Sequence, residues 1–189
     1  MTSEYSVEAV LLLDKDGKRL FTKYYSPPHG DVQSHDQLQT LSTLKDQQAF
    51  EKGLAQKTHR QNGDVIIYDN KVVVYKTVVD VTLYVVGSFE ENEVMLYQLV
   101  AGIKDALEIL LKHSFDKRSV LEHFDLVALA IDEAVDSGVI LEIDPVVIAS
   151  RVTPAPAKES IAYGGVEINE QTISNVYQKW SQRAGKFFS

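Results

Sequence analysis

Apolar residues come in two closely spaced runs at the start of the chain. Val7, Ala9, Leu11 and Leu13 alternate with Glu8, Val10 and Leu12, and the turn residues Asp14, Lys15, Asp16 and Gly17 separate them from a second run, Arg19 to Tyr25. This spacing predicts a β-hairpin. The segment Ser26-Pro27-Pro28-His29-Gly30-Asp31 ends its second strand, because proline donates no ladder hydrogen bond and glycine frees a turn. From about residue 36 to residue 59 good helix formers dominate, with Leu38, Leu41, Phe50 and Leu54 as the apolar members, and one helix is expected. Three short β-rich runs follow at 64–68, 71–79 and 81–87, the first two joined by Asp69-Asn70, which predicts an antiparallel meander.

The helical period is clearest further on. Leu96, Leu99, Val100, Ile103, Ala106, Leu107, Leu110 and Leu111 recur at i, i+3, i+4 and i+7, with Glu93, Lys104, Asp105, Glu108 and Lys112 opposite. A third helix is predicted on Val120, Leu121, Phe124, Val127, Ala128, Ile131 and Val135, with Gly138 as its C-terminal cap. Two strands, a helix, three strands and two helices make an α+β domain, an antiparallel sheet between helical layers.

The pattern changes after residue 152. Residues 153–168, beginning TPAPAKESIAYGG, mix proline, alanine and glycine without an apolar period, and an extended linker is expected there. Asn169 then offers an N-cap for a C-terminal amphipathic helix over 169–188 whose contact face is Ile173, Val176, Tyr177, Trp180, Phe187 and Phe188. Lys179, Arg183 and Lys186 lie off that face. Three occupants of the face stay open: the chain's own domain, a partner protein, or a membrane surface, for which three cations are few. The expected organisation is a domain over 1–152, a linker over 153–168 and a tail helix over 169–188, and removal of the tail is expected to leave the domain folded.

Composition narrows the function classes. With 189 residues, 44% of them hydrophobic, the chain has the material for one buried core. A formal net charge of -8 argues against nucleic acid as a partner, since phosphate binding needs clustered Lys and Arg. The absence of cysteine removes thiol nucleophiles, disulfides and cysteine-held zinc together and fits the cytoplasm. The N-terminus lacks a basic n-region and no apolar stretch reaches the length of a membrane span.

Catalytic candidates give way to plainer readings. Asp14-Lys15-Asp16-Gly17 opens like a calcium loop, but its glycine comes too early and Tyr25 stands where the bidentate Glu belongs. The five histidines, His29, His35, His59, His113 and His123, have no metal-binding spacing. Gly87-Ser88 lacks the glycines of a nucleophile elbow, and no phosphate-binding loop occurs. Asp132, Glu133, Asp136, Glu142 and Asp144 are dense, but such charges on an amphipathic helix and its exit are a solvated face. No catalytic, cofactor-binding or metal residue is assigned, and the chain is expected not to be an enzyme.

Three runs carry a resemblance: AFEKGLAQKTHR at 49–60, VVVYKTVVDVTLYVVGSFEENEVML at 72–96 and VALAIDEAVDSGVILEIDP at 127–145. They resemble the coatomer zeta family of the COPI vesicle coat, within the adaptor-complex small subunits, over about four fifths of the chain. The resemblance implies a longin-like (SNARE-like) fold: a five-stranded antiparallel sheet with one helix on one face and two on the other. It also implies a structural subunit held by the coatomer gamma subunit among the other coatomer subunits. The complex would be recruited through the Arf GTPase to Golgi membranes and COPI-coated vesicles for Golgi-to-ER retrograde and intra-Golgi transport, so that the chain would be cytoplasmic and only peripheral to the membrane. The expected partner interface is Tyr84, Val86, Phe89, Asn92, Val94 and Tyr97, with Tyr84, Phe89 and Tyr97 taken as exposed aromatics.

Two alternatives remain at this level: a clathrin-adaptor sigma-type small subunit, and a longin-type GTPase regulatory module or small enzyme. Sigma subunits read acidic dileucine motifs beside the loop that here runs through Glu90, Glu91 and Glu93, and three carboxylates would repel the acidic part of such a motif.

Overall fold

β1 (Ala9–Asp14) is buried along its whole length, so its run of leucines reflects a strand covered on both faces rather than one facing water. In the computed structural model, residues 6–25, 41, 43–59, 64–112 and 114–153 are described, together with the backbone of two short strands beyond them. β1 pairs antiparallel with β2 (Arg19–Tyr24) on one side and with β5 (Val81–Ser88) on the other. β4 (Lys71–Val78) pairs with β5, and β3 (Val65–Tyr68) with β4, giving one five-stranded sheet in the order β2-β1-β5-β4-β3. The β3–β4 turn places Asp69 and Asn70 at φ 52° and 56°, the left-handed pair that a two-residue hairpin turn needs. The β4–β5 turn puts Val79 at φ 54°, a conformation in which a β-branched side chain is strained.

Alternate residues of the strands feed two separate cores. On one face Leu11, Val73, Tyr75, Tyr84 and Val86 pack against Phe50 and Leu54 of α1 (Leu44–Thr58). Thr43 caps α1 by accepting from the Asp46 amide at 3.2 Å. The expected start near residue 36 falls on residues outside those described. Glu51, buried on the same helix, is held by Arg19 Nε at 2.5 Å and the Tyr24 hydroxyl at 2.7 Å, so α1 is pinned to the edge strand β2 by polar contacts as well as packing. Burial and the hydrogen bond to Glu51 together push the Tyr24 hydroxyl far above its ordinary pKa.

On the other face Val10, Leu12, Val74, Leu83 and Val85 meet the stripe of α2 (Glu93–Leu110). The predicted third helix is instead two. α3 (Lys117–Glu122) is capped by the Asp116 carboxylate, and α4 (Phe124–Ala134) begins after His123 leaves helical geometry at φ -122° and ψ 40°. Gly138 is not a helix cap: α4 ends at Ala134, and Ser137 and Gly138, at φ 50° and 85°, form the turn between β6 (Val135–Asp136) and β7 (Val139–Ile140). Glycine is required there twice over, since an added Cβ would also lie 2.7 Å from the Val7 carbonyl oxygen.

α5 (Pro145–Val152) was not anticipated, although its start carries a readable signal. Asp144 accepts from the amides of Val146 and Val147 at 2.8 and 3.1 Å, and Pro145 takes the first helical position. The segment leading into it runs so close over α2 that a Cβ on Gly102 would collide with the Ile143 carbonyl.

The chain divides into two compact units, 1–153 and 154–189. Within the second, the stretch expected to be an extended linker contains a short antiparallel ladder of β8 (Ala162–Tyr163) and β9 (Val166–Glu167). The predicted tail helix over 169–188, and with it Ile173, Val176, Tyr177, Trp180, Phe187 and Phe188, lies outside the described residues.

Candidate interaction surface

The junction between β5 and α2 is built on Gly87 and Asn92. A Cβ on Gly87 would come within 2.8 Å of both Leu96 Cδ1 and the Ser6 carbonyl oxygen, so only glycine lets the strand end this close to the helix. The turn Phe89–Glu91 follows, and the Asn92 side chain accepts from the amides of Val94 at 2.9 Å and Met95 at 3.4 Å, starting α2. The helix then turns Leu96, Leu99, Val100 and Ile103 inward. That phase leaves Val94 and Tyr97 on the outer side.

The result is a junction that leaves apolar side chains exposed. Phe89 is 52% exposed, Val94 60% and Tyr97 37%, with Asn92 also exposed among them. Lys76 of β4 donates to the Tyr97 hydroxyl at 2.7 Å, lies 4.4 Å from its ring centre and donates to Asp64 at 2.6 Å, so Tyr97 is held in place. Hydrogen bonds to Asp64 and Tyr97 raise the Lys76 pKa. Lys76 was missed in the sequence; strand alternation puts it on the side of Val74, facing α2, and that alternation is the signal that marks it.

Tyr84 and Val86 do not join this group. Both are core residues under α1, Tyr84 2% and Val86 0% exposed, and Tyr84 stacks on Tyr75 at 5.7 Å while its hydroxyl bonds Thr58 at 2.8 Å. Their expected place in a contact surface is corrected by that burial. The reason is that β5 is covered on both faces, so alternation along it marks two cores instead of a core and a surface.

Three carboxylates surround the junction in unlike ways. Glu90 and Glu93 are exposed, with no ion pair or hydrogen bond to any described residue. Glu91 is buried with its Oε2 unpartnered. Burial pushes the Glu91 carboxyl above its ordinary pKa, the neighbouring Glu8 and Glu90 add to the rise, and a hydrogen bond with Ser6 works against it. Glu8 itself is engaged by Lys71 at 2.6 Å.

The other acidic candidates are used up in structure. The Asp14 carboxylate accepts from the amides of Asp16 and Lys18, each at 2.9 Å, and from Lys117 Nζ at 2.7 Å. Burial works to raise its pKa, but these hydrogen bonds outweigh it and hold the carboxyl below the usual range. Asp132 bonds Lys23 at 2.6 Å, Glu133 lies 3.6 Å from Arg151, Asp136 accepts from Ser137, Glu142 accepts from the amides of Ile143 and Asp144, and Asp144 caps α5. Among the described residues no three of His, Asp or Glu gather as a metal site would require, and no helix is long and apolar enough to cross a membrane. What the junction exposes is apolar side chains beside carboxylates.

The chain is similar to known proteins over most of its length. Residues 6–158 match the family model described as clathrin adaptor complex small chain. The chain is 45% identical to coatomer subunit zeta of Saccharomyces cerevisiae, over 83% of this chain and 82% of that protein. It is 39% identical to coatomer subunit zeta-1 of Homo sapiens, over 95% of this chain and 94% of that protein. Among solved structures, a chain in the homology model of the full-length AP-3 complex in a stretched open conformation superposes with a TM-score of 0.58 at 14% identity, covering 77% of this chain and 90% of that one. That likeness speaks to the fold.

Proposed function

This chain belongs to the clathrin adaptor complex small chain family, in its coatomer zeta group, and from that premise we propose that it is a structural subunit of a COPI-type vesicle coat. The observation that carries the reading is the 45% identity to a coatomer zeta subunit across 83% of the chain. It is not an enzyme in this reading: its relatives are named as coat subunits, and its polar clusters serve caps, turns and ion pairs.

The direct partner is the large gamma subunit of the coat, with the other coat subunits beyond it and Arf engaged through the assembled complex. The chain is then cytoplasmic and meets Golgi and vesicle membranes only as part of the coat. The exposed residues Phe89, Asn92, Val94 and Tyr97 form the contact surface toward the gamma subunit, because they concentrate apolar area on a rigid strand-to-helix junction. A pull-down of the tagged chain from cytosol tests the assignment. Stoichiometric recovery of the other six coatomer subunits is expected; recovery of a clathrin-adaptor set in their place would overturn it.

A further inference from the structure

The corner formed by the β5–α2 junction has a charge as well as a shape. Exposed Phe89, Val94 and Tyr97 are interleaved with exposed Glu90 and Glu93, neither of which has a cationic partner among the described residues. Glu93 occupies the first turn of α2, where the helix dipole favours an anion, but Glu90 sits in the turn and makes no hydrogen bond or ion pair with a described residue. Beneath them Glu91 is buried with Oε2 unpartnered, next to Glu8. The cations of this neighbourhood are already committed, Lys71 to Glu8 and Lys76 to Asp64 and Tyr97. Negative potential at the patch is therefore uncompensated by any described residue.

Resting on the reading of this corner as the contact surface for the large coat subunit, we propose the chemistry of what it receives: an apolar segment of that subunit flanked by lysine or arginine. Apolar side chains would cover Phe89 and Val94, and the flanking cations would be drawn by Glu90 and Glu93. Such an arrangement adds to orientation and encounter rate as well as to holding strength. An anionic membrane surface fits poorly, since it would meet unpaired carboxylates here.

The test uses the full chain co-expressed with the gamma-type large subunit, captured through a tag on the chain, and reads the large subunit retained across washes from about 0.05 to 0.5 M NaCl. Wild type should lose partner as salt rises. Glu90→Lys with Glu93→Lys should retain at least about fivefold less at 0.15 M NaCl, and Glu90→Gln alone, which removes no contact within the fold, should flatten the salt dependence. Phe89→Ala with Val94→Ser tests the underlying surface separately. If the apolar pair weakens capture while the charge variants behave as wild type, the surface stands and the basic partner segment is overturned. If neither set weakens capture, the contact surface itself is wrong and the inference falls with it.

Discussion

A single backbone angle sets the first expectation. Val79 sits at φ 54° with its side chain 83% exposed, so a β-branched residue occupies a left-handed turn position without a burial gain that would offset it. Val79→Gly should stabilise the isolated fold by about 1 kcal/mol, checked by urea denaturation; a loss of stability would mean that Val79 makes contacts within the chain that its exposure does not suggest. Glu91 gives the second. Its folded pKa is raised, so its stabilising contribution is fully present below the ordinary glutamate value of about 4.3 and is lost as pH rises through the higher folded value. Glu91→Gln should therefore melt above wild type at pH 7.5, with the gap closing by about pH 4. A gap that does not change with pH would show that the carboxyl finds a partner when ionised.

At the scale of elements, the close crossing of α2 by the 141–144 segment is the most sensitive joint. Gly102→Ala would drive a methyl group into the Ile143 backbone, and a destabilisation of about 1–3 kcal/mol is expected in denaturant titration. Loss of the α5 cap through Asp144→Ala should cost about 1 kcal/mol. These joints also mark the limit of what periodicity told. α2 was legible because its stripe is long and unbroken, and β3 to β5 because β-branched runs alternate with tight turns. The break at His123 was not, since apolar spacing continues through it from Val120 to Val127 while the backbone does not. The Gly138 turn looked like a helix end because glycine serves both purposes, and only the pairing of Val135 with Ile140 separates them.

For the molecule as a whole, burial was harder to foresee than element order. Tyr84 and Val86 belong to the expected partner interface, yet α1 docks across that face from more than twenty residues away. No local period encodes such docking. Phe89, Val94 and Tyr97 stay exposed at a strand-to-helix junction that the sequence did mark. Other large apolar side chains are exposed as well, among them Leu121, Phe124, Leu129, Leu141 and Val146, and the isolated chain is expected to self-associate at micromolar concentration. Light scattering after size exclusion checks this: a monodisperse monomer with a cooperative melt would count against an obligate partner. Both sheet faces find their covering helices within residues 6–153, so truncation after Val152 should leave a folded domain that still co-purifies with the large subunit, with weaker assembly or lower abundance of the complex. Loss of the complex on truncation would place the tail in the main interface.

The position of β1 in the sheet has a consequence in time. Its neighbour β5 pairs Ala9 with Val86, 77 positions later in the chain. Closing a loop of that size costs about 4 kcal/mol of chain entropy beyond a constant, which must be met before the centre of the sheet can form. The β4–β5 hairpin is local and has no such barrier, so it is expected to appear first, with β1 added in the step that limits folding. On a ribosome adding roughly 5 to 20 residues per second, β1 waits about 4 to 15 s for the strand that completes it. Until α1 is made the leucines at 11, 12 and 13 have only the β2 hairpin as company, and those facing α2 wait longer, so they are the segment a nascent-chain chaperone would be expected to hold.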